Sequence, residues 1–284
     1  MKQVIACIEG IARTPGICDY AIWAANRLDT DLDFLHVTER VPEYLPLAEL
    51  TGNVWLSTQE SLLHELAELD RQRNDLLLEQ GKQALQVAVE RAQSQGATRI
   101  DATQRQGSLL DILLEVEPDT RLFVLGHHEQ PVKASRLLPD HRLEFVVRGL
   151  HRPIMVAGAN FKEPANFMVA YDGSPTADKT VDMVSRSPLL VGLPGHLVMV
   201  GRKPPTAKAA MERARTQLAQ AGFSIQAEHI TGEPATALSS YAEQNGIDLM
   251  VMGAYGRPRI RHLVLGSTTT AILGQSRMPL LILR

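Results

Sequence analysis

Cysteine is scarce: Cys7 and Cys18 are the only two in 284 residues. A disulfide-stapled secreted scaffold is therefore excluded, and the two thiols, one in an expected strand and one in an expected helix, read as reduced core residues. Aromatic residues make up only 5% of the chain and no basic stripe runs along it, which argues against a nucleic-acid-binding surface. No apolar run approaches the ~20 residues that a membrane helix needs, and the run in Met1–Glu9 is too short for a secretory leader. The expectation is a cytoplasmic protein without membrane insertion. A large excess of one charge is missing too, the formal net charge being −3.

The charge that is present is unevenly divided. Residues 1–158 carry 16 Lys and Arg against 23 Asp and Glu, whereas residues 159–284 carry 13 against 9. An anionic ligand is thus expected in the second half. That half also holds the most informative stretch, Met252-Gly253-Ala254-Tyr255-Gly256, followed after nine residues by Gly266-Ser267-Thr268-Thr269. It sits between an apolar run, Ile247–Val251, that reads as a buried strand and a segment, Ala271-Ile272-Leu273, that reads as a helix. Glycine permits positive φ and close approach of a ligand to backbone amides. A helix opening on Ser-Thr-Thr offers hydroxyls, unpaired N–H groups and a positive dipole end, all suited to phosphate. The spacing matches neither GxxxxGK[ST] nor GxGxxG. On the residues alone, an anion cradle and a tight turn followed by a helix N-cap both remain open. Arg257, Arg259, Arg261 and His262 lie within the loop, either as phosphate clamps or as solvated side chains.

Two halves repeat one another. Val4–Gly10 matches Phe167–Gly173, and Leu32–Val37 matches Gly195–Val200, at one offset of 163 residues; Arg152–Val156 matches Met278–Ile282 at 126. The first half therefore holds about 37 extra residues between Val37 and Arg152, and helical apolar spacing over Ser57–Ala92 accounts for most of them. Each half reads as strand and helix in alternation, five strands and four helices, which gives a parallel, doubly wound α/β sheet with helices on both faces. In the second half strands are expected near 167–172, 196–201, 224–229, 247–252 and 280–283, with helices near 176–190, 205–221, 234–244 and 267–276. The domains are drawn at 1–158 and 159–284, across the turn-rich segment Ala157–Asn166.

The strand Phe167–Ser174, which ends in an acid, a glycine and a hydroxyl, the G-x2-G-x9-G-S loop and the proline-led final strand Met278–Leu283 together resemble the ATP-binding branch of the universal stress protein family. The resemblance covers the second half, and the loop is its specific part. It implies two tandem domains of the adenine nucleotide alpha hydrolase-like type. It further implies an ATP site in which Val200 and Met252 meet adenine, Ala170 and Asp172 line the nucleoside side, and Gly253, Gly256, Gly266, Ser267 and Thr268 hold the phosphates. Mg²⁺ would bridge phosphate oxygens with few protein ligands. Gly201-Arg202-Lys203 departs from the family's usual continuation after Val200. Family members pair through their last strands, which implies an internal pseudo-dimer of the two halves and permits a homodimer. The expected function is an ATP-binding stress-response protein with at most slow hydrolysis, since no general base is evident beside the γ-phosphate.

The first half departs from this pattern. Its fourth strand ends Val124-Leu125-Gly126-His127-His128-Glu129, without the second glycine, and Asp140-His141-Arg142 stands where the second half has Gly266-Ser267-Thr268. Ile11 replaces Ser174, and Glu9 is a degenerate counterpart of Asp172. A carboxylate at a phosphate position opposes binding by its charge. Two other readings stand beside the leading one: a binding module for an apolar or lipid-like ligand in the first half, and a metal-dependent enzyme built on His127, His128, His141 and His151, although no HxxxH or HExxH spacing occurs. Ser267 and Asp172 with a histidine could suggest a hydrolase triad, but GxSxG is absent and Ser267 at a helix start is better explained as a cap and phosphate ligand.

Overall fold

The computed structural model describes residues 2–11, 14–39, 56–126, 141–202, 204–253, 267–276 and 278–284. In chain order the elements are β1 (Gln3–Cys7), α1 (Thr14–Leu28), β2 (Leu32–Thr38), α2 (Leu56–Ser94), β3 (Ile100–Gln106), α3 (Leu109–Val116), β4 (Thr120–Gly126), α4 (His141–Gly149) and β5 (Ile154–Ala157). The second half follows with β6 (Phe167–Ala170), α5 (Pro175–Arg186), β7 (Gly195–Val200), α6 (Pro205–Gln220), β8 (Ile225–Ile230), α7 (Pro234–Gln244), β9 (Leu249–Gly253), α8 (Ser267–Gln275) and β10 (Leu280–Leu283).

Strands such as Phe167-Met168-Val169-Ala170 are apolar at every position because the sheet is covered on both faces, as parallel sheets require. Three helices of the second half begin at Pro175, Pro205 and Pro234, where a missing N–H costs nothing and the fixed φ suits a helix start. Ser174 caps α5 by accepting from the Ala177 N–H, at 3.2 Å. The helix expected over 176–190 stops at Arg186; Ser187 turns extended and Pro188–Leu190 forms a separate 3-10 turn, since a proline disfavours helical φ/ψ in the residue before it.

The strands form one ten-stranded sheet in the order β3-β2-β1-β4-β5-β10-β9-β6-β7-β8. Every neighbouring pair is parallel except β5 and β10, which run antiparallel with Met155 opposite Leu281. Two five-stranded parallel sheets are thus fused at their last strands rather than merely adjacent. The right-handed crossover rule puts α1, α2, α5 and α6 on one face and α3, α4, α7 and α8 on the other, because each half winds outward and then returns. Each face carries a hydrophobic core that crosses the seam: Val124, Met155, Val169 and Leu281 belong to one, and Ile5, Phe123, Met250 and Ile282 to the other.

Strand pairing repeats between the halves, with the offset changing along the chain. Val4 lies opposite Leu32 as Phe167 lies opposite Gly195, an offset of 163 residues, but Leu32 lies opposite Ile100 as Gly195 lies opposite Ile225, an offset of 125. The extra length of the first half falls between β2 and β3, where α2 runs for 39 residues, and the later strands depart from that offset by only one or two residues. Its C-terminal part packs on the sheet through Ala84, Leu85, Ala88 and Ala92, while Leu66, Leu69 and Leu76 nearer its start are exposed.

Candidate functional site

The winding of the second half reverses between β6 and β9, so the crevice beyond the carboxyl ends of these strands is where a doubly wound sheet accepts a ligand. Ala170 stands opposite Val198 on β7 and opposite Met252 on β9. Strand alternation turns Ala170, Val198, Val200 and Met252 to the face covered by α7 and α8. Met252 is buried, whereas Ala170, Val200 and the β8 terminus Ile230 are half-buried, leaving an apolar wall that ends at solvent.

From the end of β6 the chain makes a tight turn into α5. Gly173 has φ 73°, a left-handed conformation that glycine adopts without strain. One carboxylate oxygen of the exposed Asp172 accepts the Ser174 N–H at 2.9 Å, which fixes the direction of the acid. Beneath it the Tyr171 hydroxyl donates to Asp178 at 2.5 Å. Burial, followed by that hydrogen bond and the Asp178 charge, pushes the phenol well above its ordinary range, so Tyr171 is a fixed strut and not an acid.

Gly253 closes β9. A Cβ there would lie 2.8 Å from Thr180 Oγ1 and 3.0 Å from Thr176 Cγ2, so its glycine lets α5 approach the strand. The first-half counterpart Gly126 does the same for Ile17, whose Cδ1 would lie 2.8 Å from an added Cβ. Helix packing is thus a reason for Gly253 that the loop spacing did not reveal. Beyond it, α8 begins at Ser267 with Thr268 half-buried and Thr269 buried. Gly256, Gly266 and the cationic residues Arg257, Arg259, Arg261 and His262 lie outside the described residues.

In the first half α4 begins at His141, nine residues long like α8, so a histidine occupies the position of Ser267. Cys7 and Leu125 take the places of Ala170 and Met252, and both are buried. Burial first, then the charges of Glu9 and Asp33, pushes the Cys7 thiol far up. Burial and Asp19 raise Cys18 to about 12 against the opposing pull of Arg91. Both are inert protonated thiols near neutrality. His151 is exposed beside Glu117, Nδ1 to Oε2 3.4 Å. His127 and His128 lie outside the described residues, among which no group of three or more His, Cys, Asp or Glu side chains is placed to hold a metal. No helix among them is long and apolar enough to cross a membrane.

Comparison with known proteins decides the family. Residues 196–284 match the model of the universal stress protein family. A universal stress protein of Synechocystis is 32% identical over 287 aligned positions, covering 100% of both chains. The chain belongs to the universal stress protein family. Crystal structures of universal stress proteins from Archaeoglobus fulgidus (TM-score 0.66, 14% identity, 99% of this chain and 98% of that one) and Pseudomonas aeruginosa (TM-score 0.64, 17% identity, 100% and 93%) share the fold.

The residues that the family model matches include Met252–Gly256 and Gly266–Thr269. Of the nine residues expected at the site, Ala170, Val200 and Met252 share one face of the sheet, Asp172 follows the end of β6, and Gly253 ends the neighbouring β9 against α5. Ser267 and Thr268 are placed at the start of α8. Sequence reasoning missed Ile230, which extends the apolar wall; its signal was its place at the end of β8, next to Val200. It also missed His229, whose Nε2 lies 3.2 Å from the Gly201 carbonyl and holds the turn after β7.

Proposed function

We propose that residues 159–284 form an ATP-binding domain of a stress-response protein, and that residues 1–158 form a degenerate partner domain that binds no nucleotide. The observation that carries this reading is the convergence of an apolar wall and a fixed acid at the switch point: Ala170, Val200 and Met252 share one face, and Asp172 is oriented by the Ser174 N–H. Adenine would lie against Val200 and Met252 with Ile230 at its margin, and the outward oxygen of Asp172 would accept ribose hydroxyls. Phosphates would run toward the positive end of α8, where the amides of Gly253, Gly256 and Gly266 and the hydroxyls of Ser267 and Thr268 would receive them. Mg²⁺ would be held mainly by phosphate oxygens and water.

The residues of the chain would bind and orient; the sequence offers no evident base for an attacking water, so hydrolysis would be slow at most. The chain works in the cytoplasm, with its two halves acting as an internal pseudo-dimer that leaves homodimer formation open. The test is calorimetric titration of ATP into the intact chain with and without Mg²⁺, alongside mass spectrometry of nucleotides that co-purify. Saturable ATP binding that a Val200→Glu substitution removes supports the reading; absence of binding at millimolar ATP defeats it.

A further inference from the structure

The pseudo-twofold relation between the halves has one flaw, because the segment joining them exists only once. After β5 the joining segment packs on α1, with the Gly158 and Ala159 carbonyls close to Gly16. Phe161 stacks edge-on against Tyr20, with ring centroids 4.8 Å apart and planes at 74°. Lys162 follows and its ammonium pairs with the buried Asp248, whose other oxygen accepts the Ala165 N–H at 3.0 Å. The joining segment thus seats one large apolar side chain in the seam and one cation on the carboxylate beside it.

The equivalent place on the other side of the seam is a cleft of about 340 Å³. Its floor is Leu122, Leu281 and Leu283, and its wall is Met183 on α5. Repeat register puts Met183 where Tyr20 stands, and Leu281 and Leu283 where Met155 and Ala157 stand. It puts Arg121 where Asp248 stands, so the charge that receives Lys162 on one side is reversed on the other. Arg121 is exposed at the mouth, its guanidinium anchored on the Leu28 carbonyl at 3.3 Å. The second cation of the rim, Arg186, is already paired with Asp182 at 2.7 Å, which leaves Arg121 as the charge that selects.

We propose that this cleft is a docking site for an extended segment of a partner protein in which a large apolar residue is followed directly by an acidic one. The chain's own joining segment, seated on the equivalent surface, is the template for the mode: the apolar side chain enters between Met183 and the sheet, and the carboxylate meets Arg121 as Lys162 meets Asp248. One difference limits the template. Gly16 lets the carbonyl of Ala159 come within 2.8 Å of where a Cβ would be, whereas Lys179 occupies the matching position on α5. The partner segment therefore makes its contacts from the apolar residue onward.

The test uses a fluorescent nonapeptide with the sequence of residues 158–166 carrying Lys162→Glu, read by anisotropy on the intact chain. The acidic peptide is expected to bind at least tenfold more tightly than the same peptide with lysine, and replacing its phenylalanine by alanine is expected to abolish binding. In the Arg121→Asp chain, which recreates the charge of Asp248, the preference should invert. Arg121→Gln, which removes the charge without reversing it, should leave the two peptides equal and serves in its place if the aspartate variant does not fold. Equal affinities for the acidic and basic peptides in the wild-type chain, or no binding up to millimolar peptide, overturn the proposal. Retention of acidic preference in both variants overturns the role of Arg121.

Discussion

Thr270 and Glu144 occupy the same position in the two halves, and they touch: the Thr270 hydroxyl donates to Glu144 Oε1 at 3.2 Å. Equivalent residues of two repeats can meet only beside the pseudo-twofold axis, so this bond locates the axis between α4 and α8. Glu144 is 5% exposed and also accepts from Arg148 at 3.1 Å, while Arg284 reaches back to the Arg148 carbonyl at 2.7 Å. Removing the hydroxyl by Thr270→Val should cost about 1 kcal/mol, the usual net contribution of one such bond. Chemical denaturation measures it; a variant as stable as the wild type would place the bond outside the fold's stabilising set.

Because β5 and β10 are neighbours inside one sheet and both cores cross the seam, the halves are expected to unfold together. Separating them would expose two apolar strand edges, which invite aggregation. Native-state hydrogen exchange should give β1 and β6 the same global opening energy. A half that opens alone, with the other still protected, would contradict a shared core.

Gly253→Ala should destabilise the chain by about 1–3 kcal/mol, the range for forcing extra volume into a packed contact. The added methyl would meet Thr180 and Thr176 on α5. Gly10→Ala is the control, since nothing lies within 4 Å of a Cβ there. Thermal melting of the pair should show a loss in the first variant alone.

His196 carries a pH signature. Burial holds its imidazole below the ordinary 6.5, against a weaker upward pull from Glu228, and Nδ1 lies 2.8 Å from the Tyr241 hydroxyl. The unfolded chain takes up the proton first, so this contribution to stability is full above pH 6.5 and is lost as pH falls through the lower folded value. Replacing His196 with Gln should flatten stability against pH in that window. An NMR titration that puts the imidazole above its ordinary value would reverse the sign.

Much of the architecture was legible because buried parallel strands are apolar throughout and the repeat gave each one twice. Phe167–Ala170, Leu280–Leu283 and the start of α7 at Pro234 stand where their residues suggest. The fusion of the two sheets was less legible: Pro153 and Pro279 mark where the last strands begin, but direction and register depend on contacts between the halves. The Thr270 to Glu144 bond had no local signal at all, since a buried carboxylate and a hydroxyl 126 residues apart are ordinary helix residues until the axis brings them together. At the candidate site, the strand-end residues came from the family resemblance, whereas the dependence of Gly253 on α5 required the packed structure.

The central claim is that one half binds nucleotide and the other has lost the means. Gly266→Asp in the intact chain imposes on the second half the residue that the first carries at Asp140, and ATP titration with Mg²⁺ reads the effect. The account predicts at least a tenfold loss of affinity with an unchanged melting temperature, because a carboxylate would face the phosphates at close range. An affinity within about twofold of the wild type, a change of only ~0.4 kcal/mol, would contradict it.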